Sequence, residues 1–352
     1  MALCVLAIVA VLAWAGPADA QDAAVDPGPP GGTLGQQSDA DIWRALRQGS
    51  PATINIENPN AGVLIQSEGQ RWREVNSEAL PTYGAMYIVG MLFLMCLFFA
   101  LHGRVRLRHG RSGRKIKRFS TLERAAHWML ASSFILLAVT GSTLRYGREA
   151  LIPLIGHDAF STLASTGKLI HNCVAFAFMA ALVTVFALWI RENIPNRHDV
   201  VWVLRGGGLV PGLHAPARKF NAGQKLVFWA VMLFGILLSL SGLALLFPYT
   251  TGFTSGIFSI VNYVFSTDLP TVLNPIQEQQ YSQLWHSIIS VVFIVIIMFH
   301  IYIGTIGMEG AFEAMGTGKV DLNWAREHHN LWVEEIERER AAPARPSESP
   351  AE

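Results

Sequence analysis

Cysteine is scarce in this chain and never clustered. Cys4, Cys96 and Cys173 are the only three in 352 residues; none forms a CxxC pair, and each sits in an apolar segment. That argues against a disulfide framework and against a cysteine-bound metal or cluster, leaving buried thiols that act as small hydrophobic groups. Charge is scarce as well. Asp, Glu, Lys and Arg make up 15% of the residues, and 27 basic against 26 acidic side chains leave a net charge of +1. Such a balance gives no footing for nucleic acid, and no basic–aromatic pattern supplies one. What is abundant is apolar side chain, at 51% with a mean hydropathy of +0.33, which places the chain in the membrane class.

The first segment is apolar from Met1 to Ala15 and is followed by Ala18-Asp19-Ala20 before Gln21. Residues 1–20 therefore read as a secretory signal peptide cleaved near Ala20, although no basic residue precedes the apolar part. Residues 21–40, with Asp26-Pro27-Gly28-Pro29-Pro30-Gly31-Gly32, hold too little apolar side chain to order themselves and read as a disordered linker. From 41 to 80 the pattern predicts a small exported cap: a helical turn at 41–46, then short strands at 52–56 and 61–66 around Asn58-Pro59-Asn60. A decoration packed on the membrane domain is favoured over a separate binding activity.

Hydropathy predicts five spans, at 84–101, 123–144, 168–190, 225–247 and 284–308. Their orientation follows from the loops. The loop at 102–120 carries Arg104, Arg106, Arg108, Arg111, Arg114, Lys115, Lys117 and Arg118, and the loop after the third span carries Arg191, Arg197, Arg205, Arg218 and Lys219. The loop after the second span has only Arg145 and Arg148, and residues 248–281 have no Lys or Arg. The positive-inside bias puts the basic loops and the C-terminus in the cytoplasm. The cap is then periplasmic, which the signal peptide requires independently.

Within the span Leu284–Met308 lie His286 and His300, fourteen positions apart. At about 100° per residue that spacing returns them to within about 40° of one face, some 21 Å apart along the axis. Polar groups inside a span are costly and usually face the bundle interior, so partners must lie on other helices. His127 stands just inside the second span and His171 just inside the third. Depth sorts the four into an inner pair, His127 with His300, and an outer pair, His171 with His286. Two stacked bis-histidine sites suit two b-type hemes in a helical bundle, and Gly141, Gly167, Gly235 and Gly242 offer small backbone for a porphyrin to approach. A heme-free proton-coupled transporter and a structural membrane anchor stay open on spacing alone. The remaining histidines, His102, His109, His157, His198, His214, His328 and His329, fall in loops or tails and read as solvated or interface residues.

Several blocks carry a resemblance: Leu122-Glu123-Arg124-Ala125-Ala126-His127-Trp128, Gly167-Lys168-Leu169-Ile170-His171, Arg191-Glu192-Asn193-Ile194-Pro195, and Lys219-Phe220-Asn221-Ala222-Gly223-Gln224-Lys225, together with the His286/His300 spacing. Over about residues 115–340 the chain resembles the gamma subunit of respiratory formate dehydrogenases, a diheme cytochrome b. The cytochrome b subunits of nickel–iron hydrogenases and thiosulfate reductases share the plan but match the Asn-Ala-Gly-Gln block less well. The span at 84–101 and the exported cap depart from the shortest members.

The resemblance implies an all-α membrane protein: a four-helix diheme cytochrome b domain at 121–310, one extra N-terminal span, and a cytoplasmic tail at 311–352. It implies His171 and His286 as ligands of the outer heme, His127 and His300 as ligands of the inner heme, and Asn221, Gly223 and Gln224 as a quinone site. Capping of the fourth span is the alternative for Asn221 and Gln224. It further implies two heme b groups, quinone as acceptor, an iron–sulfur beta subunit and a formate-oxidising alpha subunit as partners, and the bacterial inner membrane as location. No catalytic residue for formate oxidation is expected in this chain. The apolar 248–281 loop is expected near the iron–sulfur partner or against lipid, and Trp332, Glu334, Glu335 and Glu337 suggest an amphipathic tail helix.

Overall fold

A computed structural model describes residues 44, 47–48, 67–208, 215–248, 250 and 252–341. The signal peptide at 1–20, the linker at 21–40 and the two strands predicted in the cap lie outside these residues. The described regular structure is helical apart from two three-residue strands.

Helix α1, Ser67–Glu74, passes through a π-helical turn, Val75–Ala79, into α2, Leu80–His102. The span expected at 84–101 is thus the apolar part of a longer helix that starts inside the range assigned to the cap. Its polar first turns, with Arg71, Arg73 and Glu74, lower the local hydropathy and hide it from a search for apolar runs. Helix α3, Thr121–Ala150, starts at a capping box in which Glu123 N–H donates to Ser120 Oγ at 3.2 Å and Ser120 N–H donates to Glu123 Oε2 at 2.7 Å. Helix α4, Ile152–Trp189, is interrupted at Gly156 (φ 80°), a conformation that favours glycine, and runs on from there. Asn196 caps the short α5, Arg197–Leu204, and Asn221 caps α6, Ala222–Leu246.

Helix α7, Phe253–Phe265, lies in the stretch read as an apolar loop; at 13 residues it is too short to register as a span. Helix α8, Pro275–Tyr302, begins at a capping box on Asn274 and ends in a π-helical turn, Ile303–Gly307. Helices α9 (Glu313–Gly316), α10 (Leu322–His328) and α11 (Asn330–Ala341) complete the chain order.

Among the described residues, five helices are long and apolar enough to cross a membrane: Arg71–His102, Thr121–Ala150, Ile152–Trp189, Ala222–Leu246 and Pro275–Gly307. Each of the five predicted spans falls on one of them. Helix α3 packs along α4, α6 packs between α4 and α8, and α2 lies against α8. At mid-height Phe293 of α8 is 1% exposed, with Phe134 of α3 4.7 Å and Phe234 of α6 6.1 Å from it, ring centre to ring centre. Phe293 stands seven residues from His286 and seven from His300, so an aromatic layer separates two histidine levels. Away from this interior, Leu94, Leu101, Val183, Leu226 and Leu233 are exposed, as a lipid-facing surface requires.

One end of the bundle carries the basic segments. There β1, Lys115–Lys117, pairs antiparallel with β2, Lys319–Asp321, in the register Ile116↔Val320, and Val105 bridges Met308. Asp321 accepts from Ser112 N–H at 3.1 Å and Gly113 N–H at 3.0 Å, Glu309 from Leu107 N–H at 3.2 Å, and Glu327 from His109 N–H at 3.2 Å. The basic loop after α2 is therefore stitched to the segment after α8, and this end is closed by a small folded platform. Arg118 lies inside it, 5.0 Å from the Trp324 ring and 5.7 Å from the Trp332 ring, and burial pushes its pKa down from the usual guanidinium range to about 9. His329, expected to be a solvated or interface residue, is fully buried with Nδ1 2.7 Å from the Arg218 carbonyl, because the tail that carries it folds back instead of projecting into water.

Candidate functional site

Two facing imidazole pairs define the site. At the basic end His127 of α3 and His300 of α8 have ring centres 6.4 Å apart. At the far end His171 of α4 and His286 of α8 are 6.3 Å apart. These are the pairs predicted from depth, and α8 contributes one ring to each because fourteen residues separate its histidines by nearly four whole turns.

The spacing has a chemical meaning. An imidazole nitrogen binds a metal at about 2 Å and lies roughly 1 Å from its own ring centre. Two rings on opposite sides of one ion therefore have centres about 6 Å apart. No ring-to-ring hydrogen bond joins either pair among the described residues, and each ring leaves part of its surface uncovered by protein: His127, His171 and His286 are half-buried and His300 is exposed. The residues present fit a planar group held between two axial imidazoles at each level. No cluster of three or more His, Cys, Asp or Glu side chains suited to a bare metal ion occurs among the described residues, and the His328/His329 pair gains no further ligand.

The far-end pair has a support that composition did not flag. Thr140 Oγ1 lies 2.9 Å from His171 Nδ1, and Ser241 Oγ lies 3.0 Å from His286 Nδ1. Each hydroxyl also donates to a carbonyl of its own helix, Thr140 to Leu136 at 2.7 Å and Ser241 to Leu237 at 2.8 Å. The next residue in both helices is glycine. A Cβ on Gly141 would stand 3.3 Å from His171 Cε1, and one on Gly242 3.4 Å from His286 Cε1. These two glycines thus make room for the imidazoles. Gly235 packs against Leu182, and a Cβ on Gly167 would meet nothing within 4 Å. The repeated hydroxyl–glycine dipeptide on α3 and α6 is the sequence signal that would have found this support.

At the basic end His127 Nδ1 is buried without a hydrogen-bond partner among the described residues. Nearby, Glu123 accepts from Trp189 Nε1–H at 3.1 Å and from Lys219 Nζ at 2.9 Å, tying α3, α4 and the segment before α6 together.

Asn221, Gly223 and Gln224 form the first turn of α6 at this end. Gln224 N–H donates to Asn221 Oδ1 at 2.9 Å, and Asn221 N–H donates to Gln224 Oε1 at 3.1 Å. Gln224 Oε1 also accepts from Arg118 Nη2 at 3.3 Å. Helix capping is therefore present. It engages only the amide oxygens of the two side chains, and their NH2 groups take no part in it. A Cβ on Gly223 would stand 3.0 Å from the Trp202 ring, so glycine here lets α5 close on the start of α6.

Comparison with known proteins points one way. Residues 118–318 match the family described as prokaryotic cytochrome b561. The cytochrome b556 subunit of the nitrate-inducible formate dehydrogenase of Escherichia coli K12 is 28% identical over 229 residues, which is 64% of this chain and 94% of that protein. A second formate dehydrogenase cytochrome b556 subunit of the same organism is 28% identical over 223 residues, 63% of this chain and 93% of that protein. The formate dehydrogenase cytochrome b556 subunit of Haemophilus influenzae is 26% identical over 230 residues, 63% of this chain and 83% of that protein.

Proposed function

The chain belongs to the prokaryotic cytochrome b561 family, and from that premise we propose that it is the membrane cytochrome b subunit of a formate dehydrogenase complex, passing electrons between two b hemes to quinone. The observation that carries this reading is the pair of imidazole pairs, 6.3 Å and 6.4 Å between ring centres, at two levels of one bundle. In the proposal His171 and His286 hold the outer heme and His127 and His300 the inner one. Bound there, each heme supplies one-electron redox chemistry at its iron. Orientation follows from the basic segments, which belong in the cytoplasm. The far-end pair then faces the periplasm.

The rest is done by side chains of this chain. The four imidazoles fix two irons at separate depths, and the Phe134–Phe293–Phe234 layer keeps the interior between them free of water. At the cytoplasmic end, the Asn221 and Gln224 NH2 groups are donors for the carbonyl oxygens of a quinone head group, and glycine at 223 keeps the backbone there slim. Quinone reduction consumes protons, and this end lies beside the aqueous phase. With three separated cysteines, the chain has no iron–sulfur motif of its own. Electrons therefore come from partners: an iron–sulfur subunit docked on the periplasmic side and a formate-oxidising subunit beyond it.

The test is direct. Purified protein is expected to show b-type absorption with two hemes per chain, and His286→Ala or His300→Ala is expected to remove one heme while leaving the other. A wild-type chain without heme, or variants that both keep two, would overturn the reading. Copurification of hydrogenase subunits in place of formate-oxidising ones would overturn the choice of donor.

A further inference from the structure

We propose that Thr140 and Ser241 are positioning residues that set the tautomer of both outer-level imidazoles and lower the reduction potential of the outer heme relative to the inner. The inference rests on the reading of His171 and His286 as axial ligands. It starts from the direction of four hydrogen bonds. A hydroxyl has one proton. Thr140 Oγ1 lies 2.7 Å from the Leu136 carbonyl and Ser241 Oγ 2.8 Å from the Leu237 carbonyl, and a carbonyl can only accept. Each hydroxyl proton is therefore committed to its own helix. Toward the imidazoles the two oxygens act as acceptors, so the proton of each contact belongs to His171 Nδ1 at 2.9 Å and to His286 Nδ1 at 3.0 Å.

With Nδ1 protonated, Nε2 carries the lone pair on both rings, the form an axial ligand needs. The following glycines hold the contact in register, because a side chain at 141 or 242 would press on the Cε1 edge of the ring. The arrangement is repeated on α3 and α6, one hydroxyl–glycine pair for each ring.

The inner level is built differently. His127 Nδ1 is buried with no hydrogen-bond partner among the described residues. An imidazole that donates its N–H to an acceptor is the more electron-rich ligand and favours the oxidised iron. Two such donors act at the outer level, and at least one of the inner ligands lacks its own. The outer couple is therefore the lower of the two, and electron flow from outer to inner is downhill by construction of the protein.

The experiment is redox titration of the purified complex, following the two b-type couples by absorption, with heme counted separately as the pyridine adduct. The variant Thr140→Val with Ser241→Ala removes both hydroxyl acceptors at nearly constant volume, leaving only the backbone carbonyls of Leu137 and Leu238 beside the imidazoles. Expected is a positive shift of the outer couple alone by about a tenfold change in its equilibrium, about 59 mV for one electron, with the inner couple unmoved. The exchange Thr140→Ser with Ser241→Thr keeps both hydroxyls and is expected to restore the original potential. Selective loss of the outer heme in the first variant, restored in the second, also supports the proposal. Two hemes whose potentials stay put, or two couples shifting equally, overturn it. Absence of heme from the wild-type chain would instead sink the ligand assignment on which it stands.

Discussion

In the proposed function Asn221 and Gln224 each face two demands, and the two ends of an amide answer them separately. Their oxygens close the capping box of α6, while their NH2 groups take no part in it and are the donors assigned to quinone. Asn221→Asp should therefore divide the roles. Aspartate caps a helix as well as asparagine, so thermal stability is expected to hold, whereas Asn221→Ala should cost about 1 kcal/mol. Both variants should slow quinone reduction, measured with a soluble quinone analogue, because both lose the N–H donor; full activity in Asn221→Asp would remove the residue from the quinone site. Of the individual side chains, the four heme-ligand candidates were legible in the sequence because an ionisable group in an apolar span stands out against its neighbours. Thr140 and Ser241 were not, since a hydroxyl in a span ordinarily satisfies itself on its own helix. The Asn221–Gln224 box was legible as a cap, and only the resemblance raised the second role.

Among the helices, α8 was the most readable, with its length, its apolar run and its histidine spacing all in view. Helix α7 was not, because an apolar helix of thirteen residues falls below the length that marks a span. The way α2 docks was also hidden. Its one buried residue is Gly84, where a Cβ would stand 2.6 Å from the Tyr146 hydroxyl and 3.1 Å from Val291 Cγ2. Below it Arg145 Nη1 donates to Asn76 Oδ1 at 3.1 Å. Gly84→Val should wedge α2 away from α3 and α8, lowering stability by about 1–3 kcal/mol as overpacking does, while the four histidines stay in place. Heme content equal to wild type with a lowered melting temperature is the expected result. A loss of heme would mean that α2 braces the histidine helices rather than merely leaning on them.

On the scale of the whole molecule, the platform at the basic end is what sequence reading missed most. Its strands are three residues long and join positions about two hundred apart, so no local pattern announces them. The platform should respond to pH. Burial, and then the Arg118 cation, hold His329 well below the usual imidazole range, and burial lowers His328 as well. Burial alone would raise the Asp321 carboxyl, but the bonds from Ser112, Asn323 and Gly113 outweigh it and keep it low; Glu327 is held low by the bonds from His109 and Arg108 in the same way. The unfolded histidines protonate at about pH 6.5 while the folded ones resist, so stability present above that value is lost as pH falls toward the depressed folded value. The two carboxylates stay ionised through that window and do not offset the loss. Amide protection in residues 308–341, corrected for the intrinsic exchange rate, should fall between pH 7 and 5.5, and His329→Gln should flatten that dependence. An unchanged slope in the variant would place the sensitivity elsewhere.

Helix α8 is synthesised after the helices that carry His127 and His171, and it carries half of each imidazole pair. A chain halted anywhere before Pro275 presents His127 and His171 alone, each a single imidazole facing no partner. Under the proposed function, two-sided ligation at either depth is thus available only once α8 has been made, and the prosthetic groups themselves would serve as the record that synthesis and insertion reached this helix.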